Sequence, residues 1–114
     1  MIVAGFGFST RASTASLRDA LAKCDTAVDA VATLADKAEA LRPLAVELGL
    51  PMIAVTGALP ETPTQSEHSL AERGVGSVAE ACALAAAGAG AYLRGTRVIS
   101  DDRLATCAIA QGGN

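Results

Sequence analysis

Large rings are almost missing from this chain of 114 residues: it has no tryptophan, and its only aromatic residues are Phe6, Phe8 and Tyr92. The apolar positions are filled chiefly by Ala, Val and Leu, so the core is built from small side chains. Elements packed through alanine approach closely, which favours helices lying tight on a sheet. Basic clusters are missing as well. Nine Lys and Arg stand against twelve Asp and Glu, a net charge of -3, and the cations are scattered. That distribution argues against a nucleic-acid groove or an anionic membrane surface as partner, and requires any anionic ligand to be held locally.

No apolar run is long enough to span a bilayer. The opening stretch Met1-Ile2-Val3-Ala4-Gly5-Phe6-Gly7 has no basic segment before it and reads as a first strand rather than a signal peptide. Cys24, Cys82 and Cys107 are odd in number and lack a CxxC pair, which fits reduced thiols of a cytoplasmic protein. With His68 as the only imidazole, neither a zinc site nor a histidine-based triad has enough ligands, and no metal or other cofactor is expected.

What is present is an alternation of strand and helix signals over a single domain, residues 1–114. Ile2 to Phe8 reads as a buried strand whose glycines admit close approach from above. Leu17 and Leu21 give helical spacing up to Cys24-Asp25. Ala27 to Leu34 reads as a second strand, with Val28, Ala30, Ala32 and Leu34 on one face and Val31 on the other. Ala38, Leu41, Ala45 and Leu48 return to helical spacing, with Pro43 as a kink or fresh start and Gly49 as the C-cap. Pro51 to Thr56 is a third strand. Val98 to Ser100, a turn at Asp101-Asp102-Arg103, and Leu104 to Ala110 form a terminal hairpin. The fold class expected is α/β, a three-layer-type sandwich whose mostly parallel sheet carries helices on its faces and a C-terminal antiparallel hairpin.

Parallel strands joined by right-handed crossovers bring their carboxyl ends to one edge, where open α/β sheets place ligands. Candidate ligand groups collect there. Ser9, Thr10, Arg11 and Ser13 follow the first strand; the Arg11 fork suits a carboxylate or phosphate, while the hydroxyls equally suit helix capping. Lys37 follows the second strand and reaches the same edge, or else stays a solvated surface lysine. Gly74-Val75-Gly76-Ser77-Val78-Ala79-Glu80-Ala81 is a glycine-rich loop entering a helix. Ser77 and Glu80 have capping-box spacing, and the amides about Gly74, Gly76 and Ser77 form either an anion site or simply a well-capped helix start. Glu61, Glu67, His68 and Glu72 are further acid or base groups, read as solvated. No catalytic residue is assigned. A Rossmann-type nucleotide site lacks its third glycine and the acidic residue closing the second strand.

The blocks Gly5-Phe6-Gly7-Phe8-Ser9-Thr10-Arg11-Ala12-Ser13, Asp36-Lys37-Ala38, Glu47-Leu48-Gly49-Leu50-Pro51, the Gly74–Ala81 octet and Ala108-Ile109-Ala110 come in an order that resembles the CobE/CbiG C-terminal domain family of cobalamin (vitamin B12) biosynthesis. The resemblance spans almost the whole chain. It implies a small α/β domain acting at the corrin-ring stage. In CbiG the domain follows other segments of a cobalt-precorrin-5A hydrolase that opens a ring-A lactone; the short chain is expected to match the stand-alone, CobE-like form. Corrin precursors are flat, apolar at the centre and fringed with carboxylates, so a site for them needs several local anion contacts and an apolar floor. Ser9, Thr10, Arg11, Ser13, Lys37, Gly74, Gly76, Ser77 and Glu80 are the substrate-binding candidates, with Phe8 or small alanines as floor. The expected role is binding or handing on a precorrin or hydrogenobyrinic acid-type corrinoid. The alternatives are lactone hydrolysis of the cobalt-precorrin-5A type, or an accessory subunit of a neighbouring biosynthetic enzyme.

Overall fold

Ile2–Phe8 forms the first strand, β1, and its alternation sets the character of the two sides of the sheet. Ala4 and Phe6 face one side; Val3, Gly5 and Gly7 face the other. The computed structural model describes residues 1–57 and 77–113. Within them β1 is followed by helix α1 (Thr14–Cys24), β2 (Ala30–Leu34), a 3-10 turn (Ala35–Lys37), α2 (Ala38–Leu48), β3 (Met52–Val55), α3 (Val78–Ala87), β4 (Tyr92–Leu93), β5 (Val98–Ile99) and β6 (Ala105–Gln111).

The strands β1, β2 and β3 pair in parallel, and β6 runs antiparallel along the whole of β1, from Ile2 opposite Gln111 to Phe8 opposite Ala105. Sheet order is β3-β2-β1-β6-β4, with β5 also paired to β6. The expected terminal hairpin is therefore present, and its returning strand β6 lies inside the sheet. Apolar residues on both of its faces require this: Ala105, Cys107 and Ile109 pack toward α1 and α2, while Ala108 and Ala110 lie opposite Gly5 and Val3 on the α3 side. The outer rim is formed by β4 and β5. Between Leu93 and Val98 the rim spends more residues than β6 does between Ala110 and Cys107, so Arg94 to Arg97 bulge outward.

The two faces are packed by different means. Phe6, Val31 and Ile109 meet Leu17, Leu41 and Leu44 of α1 and α2, an ordinary large-residue core. On the other face Val3, Ala30 and Ala32 meet Cys82 of α3. There the helix approaches the strand backbone to backbone. A Cβ built at Gly5 would overlap the Ala79 carbonyl oxygen and the Ala83 amide nitrogen, and one at Gly7 would press on Val78 and Ala79. The order of these contacts shows that α3 runs antiparallel to β1, with its amino end over the strand's carboxyl end.

Two local readings differ from the structure. The second strand begins at Ala30, because Thr26 Oγ1 closes a turn on the Cys24 carbonyl at 2.9 Å and Asp29 then clasps Ile2 through two 2.8 Å hydrogen bonds. Val28, still ahead of the ladder, packs with Val31 on the α1 and α2 side rather than with Ala30 and Ala32. Pro43 does not restart the helix: α2 runs without interruption from Ala38 to Leu48 with Pro43 on its exposed side, and it ends at Gly49 with φ 66°.

α1 is tied to the β5–β6 turn at both ends. At its start Ser13 Oγ accepts the Ser16 N–H at 3.2 Å and Ser16 Oγ accepts the Ser13 N–H at 3.1 Å, a reciprocal cap. The Ser16 hydroxyl then donates to Asp102 at 2.5 Å. Ser100 Oγ at 2.6 Å and the Leu104 N–H at 3.0 Å also donate to that carboxylate. Toward the end of α1, Lys23 reaches Asp101 at 2.9 Å, and Asp19 accepts the Asp101 N–H at 2.7 Å.

Two predictions follow from this packing and this turn. Gly5→Ala places a methyl group against backbone atoms that no rotamer can move, so it lowers unfolding stability by about 2 kcal/mol; Gly95→Ala, with open space around it, leaves the urea midpoint unchanged. Hydrogen bonds from Ser100, Ser16 and the Leu104 amide hold the Asp102 carboxyl below the usual aspartate range. A depressed carboxyl contributes stability that is present above its unfolded pKa and is lost as pH falls through the folded one. The difference in urea midpoint between wild type and Asp102→Asn is therefore full near neutrality and shrinks as pH drops below about 4. A gap that stayed constant through that range would refute the assignment.

Candidate functional site

β1 ends at Phe8, and the turn after it is held by short-range bonds that its hydroxyl-rich sequence makes possible. Ser9 donates its N–H to the Leu104 carbonyl at 2.9 Å, its carbonyl accepts the Ala12 N–H at 3.0 Å, and its hydroxyl accepts the Arg11 N–H at 3.1 Å. Ser13 is occupied as the N-cap of α1. The hydroxyls of Ser9 and Ser13 thus shape the turn, and they leave Thr10 and Arg11 exposed at its tip.

Lys37 comes to the same edge from the 3-10 turn after β2. Its Nζ donates to the Phe8 carbonyl at 3.0 Å and stands 5.2 Å from the centroid of the Phe8 ring. The contact combines a charge-assisted hydrogen bond with a cation–π interaction, and it parks the ammonium over the carboxyl end of β1. Phe8 is half-buried, so part of its ring is accessible beside this charge.

The amino end of α3 arrives over Gly7. Ser77 is its N-cap, with Oγ accepting the Glu80 N–H at 3.3 Å. Both side chains are enclosed, Ser77 at 1% exposure and Glu80 at 0%. Glu80 also accepts the Arg97 backbone N–H at 3.2 Å, which ties the bulge of the rim strand to the first turn of α3. Their side chains serve the scaffold. Gly74 and Gly76, together with Glu61, Glu67, His68 and Glu72, lie outside the described residues.

The electrostatics of this edge differ from those of the helical flank. On the flank each cation has a carboxylate: Arg18 binds Glu47 through 2.6 and 2.7 Å hydrogen bonds, Arg42 binds Glu39 at 2.9 Å, and Lys23 binds Asp101. Those contacts hold the Glu47 and Glu39 carboxyls below, and the Arg18 guanidinium above, their usual ranges. At the edge, Arg11, Lys37 and Arg103 have no carboxylate at ion-pair distance among the described residues. Arg103, exposed in the turn whose Leu104 carbonyl holds Ser9, was hidden to sequence reading because that turn looked like a simple chain reversal. Asp102 was missed for the same reason, although the Ser13-x-x-Ser16 spacing was a visible hint of the cap it completes.

Among the described residues no group of three or more His, Cys, Asp and Glu is placed to hold a metal ion, and no helix is long and apolar enough to cross a membrane. What the edge offers chemically is separated positive charge beside the partly exposed Phe8 ring, which suits binding of a molecule bearing several carboxylates.

Comparison with known proteins gives this geometry a family. Two solved structures share the fold over nearly their full length. One is CobE, a protein from the cobalamin (vitamin B12) biosynthetic pathway, 31% identical, with a TM-score of 0.83 over 96% of this chain and 92% of that one. The other is the cobalamin biosynthesis protein chiG from Agrobacterium tumefaciens str. C58, 28% identical, with a TM-score of 0.72 over 100% of both chains. No protein of curated function matches. The family model described as cobalamin synthesis G C-terminus matches residues 2–110. The chain therefore belongs to the cobalamin synthesis G C-terminus family and is a protein of cobalamin biosynthesis.

Proposed function

We propose that the chain binds a precorrin or hydrogenobyrinic acid-type intermediate at the carboxyl edge of its sheet and holds it for the next step of the pathway. The observation that carries this reading is the contrast in cation pairing: Arg18, Lys23 and Arg42 on the flank are neutralised internally, and Arg11, Lys37 and Arg103, where the strands end, have no carboxylate partner among the described residues. A corrin precursor supplies the missing partners, since its acetate and propionate arms are spread around a flat apolar centre. In this reading Lys37 takes one carboxylate while staying anchored on Phe8, Arg11 takes another bidentately from the tip of the turn, and Thr10 adds a neutral hydroxyl. The ring of Phe8 and the surrounding small side chains meet the macrocycle.

The family supports the pathway, and the local chemistry supports binding over hydrolysis. A hydrolase needs an acid or base beside the scissile bond, and among the described residues Glu80, in the first turn of α3, is enclosed and engaged with the Arg97 amide.

Titration of the purified chain with hydrogenobyrinic acid, followed by absorbance and gel filtration, tests the proposal. Binding that weakens with added salt is expected. Arg11→Ala and Lys37→Ala each raise the dissociation constant roughly tenfold or more, the value of one charge-assisted hydrogen bond. Arg42→Ala, which breaks only the pair with Glu39, leaves it unchanged. Absence of binding, or variants that bind like wild type, would remove the proposal; an altered pigment spectrum with release of a two-carbon fragment from a lactone-bearing precorrin would replace it with hydrolysis.

A further inference from the structure

Cys24 closes the last turn of α1, and Cys107 sits in the middle of β6 on the face that α1 covers. The two are brought together by packing across most of the chain. Cys24 Sγ lies 3.8 Å from the Cys107 carbonyl oxygen and 3.6 Å from the Ala20 carbonyl oxygen, and it packs against the buried cluster to which Cys107 belongs. Their exposures differ: Cys107 is 0% exposed, while Cys24, at the end of the helix, is only half-buried. Cys82 belongs to the opposite face, packed between α3 and Ala30 and Ala32, and takes no part in this pair.

We infer that Cys24 and Cys107 form a peroxide-responsive thiol pair, in which the accessible Cys24 reacts first and the buried Cys107 closes a disulfide onto it. The chemistry balances with a peroxide as oxidant. The Cys24 sulfur attacks one oxygen of hydrogen peroxide; the O–O bond breaks, a sulfenic acid forms, and one water leaves. The Cys107 sulfur then displaces the sulfenic oxygen as a second water, its thiol proton going to that oxygen, so two thiols become one disulfide. The division of roles agrees with the local environment. Hydrogen bonding from Cys107 draws the Cys24 thiol toward its thiolate form, while burial pushes the Cys107 thiol well up. A partly exposed thiol whose pKa is drawn down, beside a resolving thiol, is the kind of arrangement redox-sensing cysteines use. The bond would fasten the carboxyl end of α1 to the central antiparallel strand, and thiol reductants would release it.

The test uses the whole reduced chain treated with hydrogen peroxide, then denatured and alkylated. Two of the three thiols should disappear from alkylation, with the intact mass lower by two hydrogens and peptide mapping joining the Cys24 and Cys107 segments. Cys82→Ser should behave as wild type. In Cys107→Ala oxidation should stop at a sulfenic acid on Cys24 that dimedone traps. In Cys24→Ser, a near-isosteric change at a half-buried site, Cys107 should stay alkylatable. The inference is overturned if wild type keeps all three thiols, if Cys24 is oxidised while Cys107 remains alkylatable, or if the cross-link runs through Cys82 or between chains.

Discussion

The contact on which most of this molecule depends is the one between the backbone of β1 and the backbone of α3. Where Gly5 meets Ala79 and Ala83 no side chain separates helix from strand. Such an approach demands that the neighbouring positions also be small, and Ala30, Ala32, Ala108 and Ala110 meet that demand. The alanine-rich, tryptophan-free composition is thus a steric consequence of one close-packed helix. Burying alanine gains little, since each buried methylene is worth only about 0.8 kcal/mol, so the opposite face has to supply the larger share. Phe6, Leu17, Leu41 and Leu44, all fully enclosed there, are each worth about 1.5–3 kcal/mol.

The same contact sets the position of the edge chemistry. Because α3 is pressed onto β1 in one register, its first turn ends over Gly7, next to the turn that carries Arg11 and the Phe8 carbonyl that holds Lys37. Exposed ion pairs contribute about 0–1 kcal/mol each, so the pairs on the flank matter less for stability than for what they remove from the surface field. Arg18, Lys23 and Arg42 are neutralised locally, and Arg11, Lys37 and Arg103, where the parallel strands end, have no carboxylate at ion-pair distance among the described residues. A chain with a net charge of -3 can therefore present a cationic edge to an anionic ligand.

Elements whose signals are local were legible in the sequence, and contacts made across the chain were not. The Gly5-x-Gly7 spacing announced a close approach, Gly49 announced a helix end, and Ser77 announced the start of α3; each is decided within a few residues by backbone sterics or capping. The role of Asp102 was invisible. Its donors include Ser16, 86 residues away, and nothing near Asp102 distinguishes it from any other turn aspartate. Lys37 is intermediate: its arrival at the sheet edge followed from strand topology, but its anchor, a carbonyl and ring 29 residues earlier, did not. Val28 shows the limit of period-two reading, which assigns a face only after the ladder has begun.

The network around Asp102 also bears on how the edge can bind a ligand. A long side chain such as Arg11 loses rotamer entropy when it is captured, of the order of 1.5–2 kcal/mol, and a mobile backbone beneath it would add a further loss. Ser9 bonded to Leu104 and to its own turn, Ser13 and Ser16 bonded to each other, and Ser16 bonded to Asp102 reduce that second term before any ligand arrives. In the proposed binding role the hydroxyls of this turn would act indirectly, by keeping the base of the Arg11 arm still while its guanidinium is free to follow a flexible carboxylate. That division, rigid backbone and mobile charge, matches a stretch with four hydroxyl residues and one arginine that exposes the arginine at its tip and uses Ser9 and Ser13 within the turn.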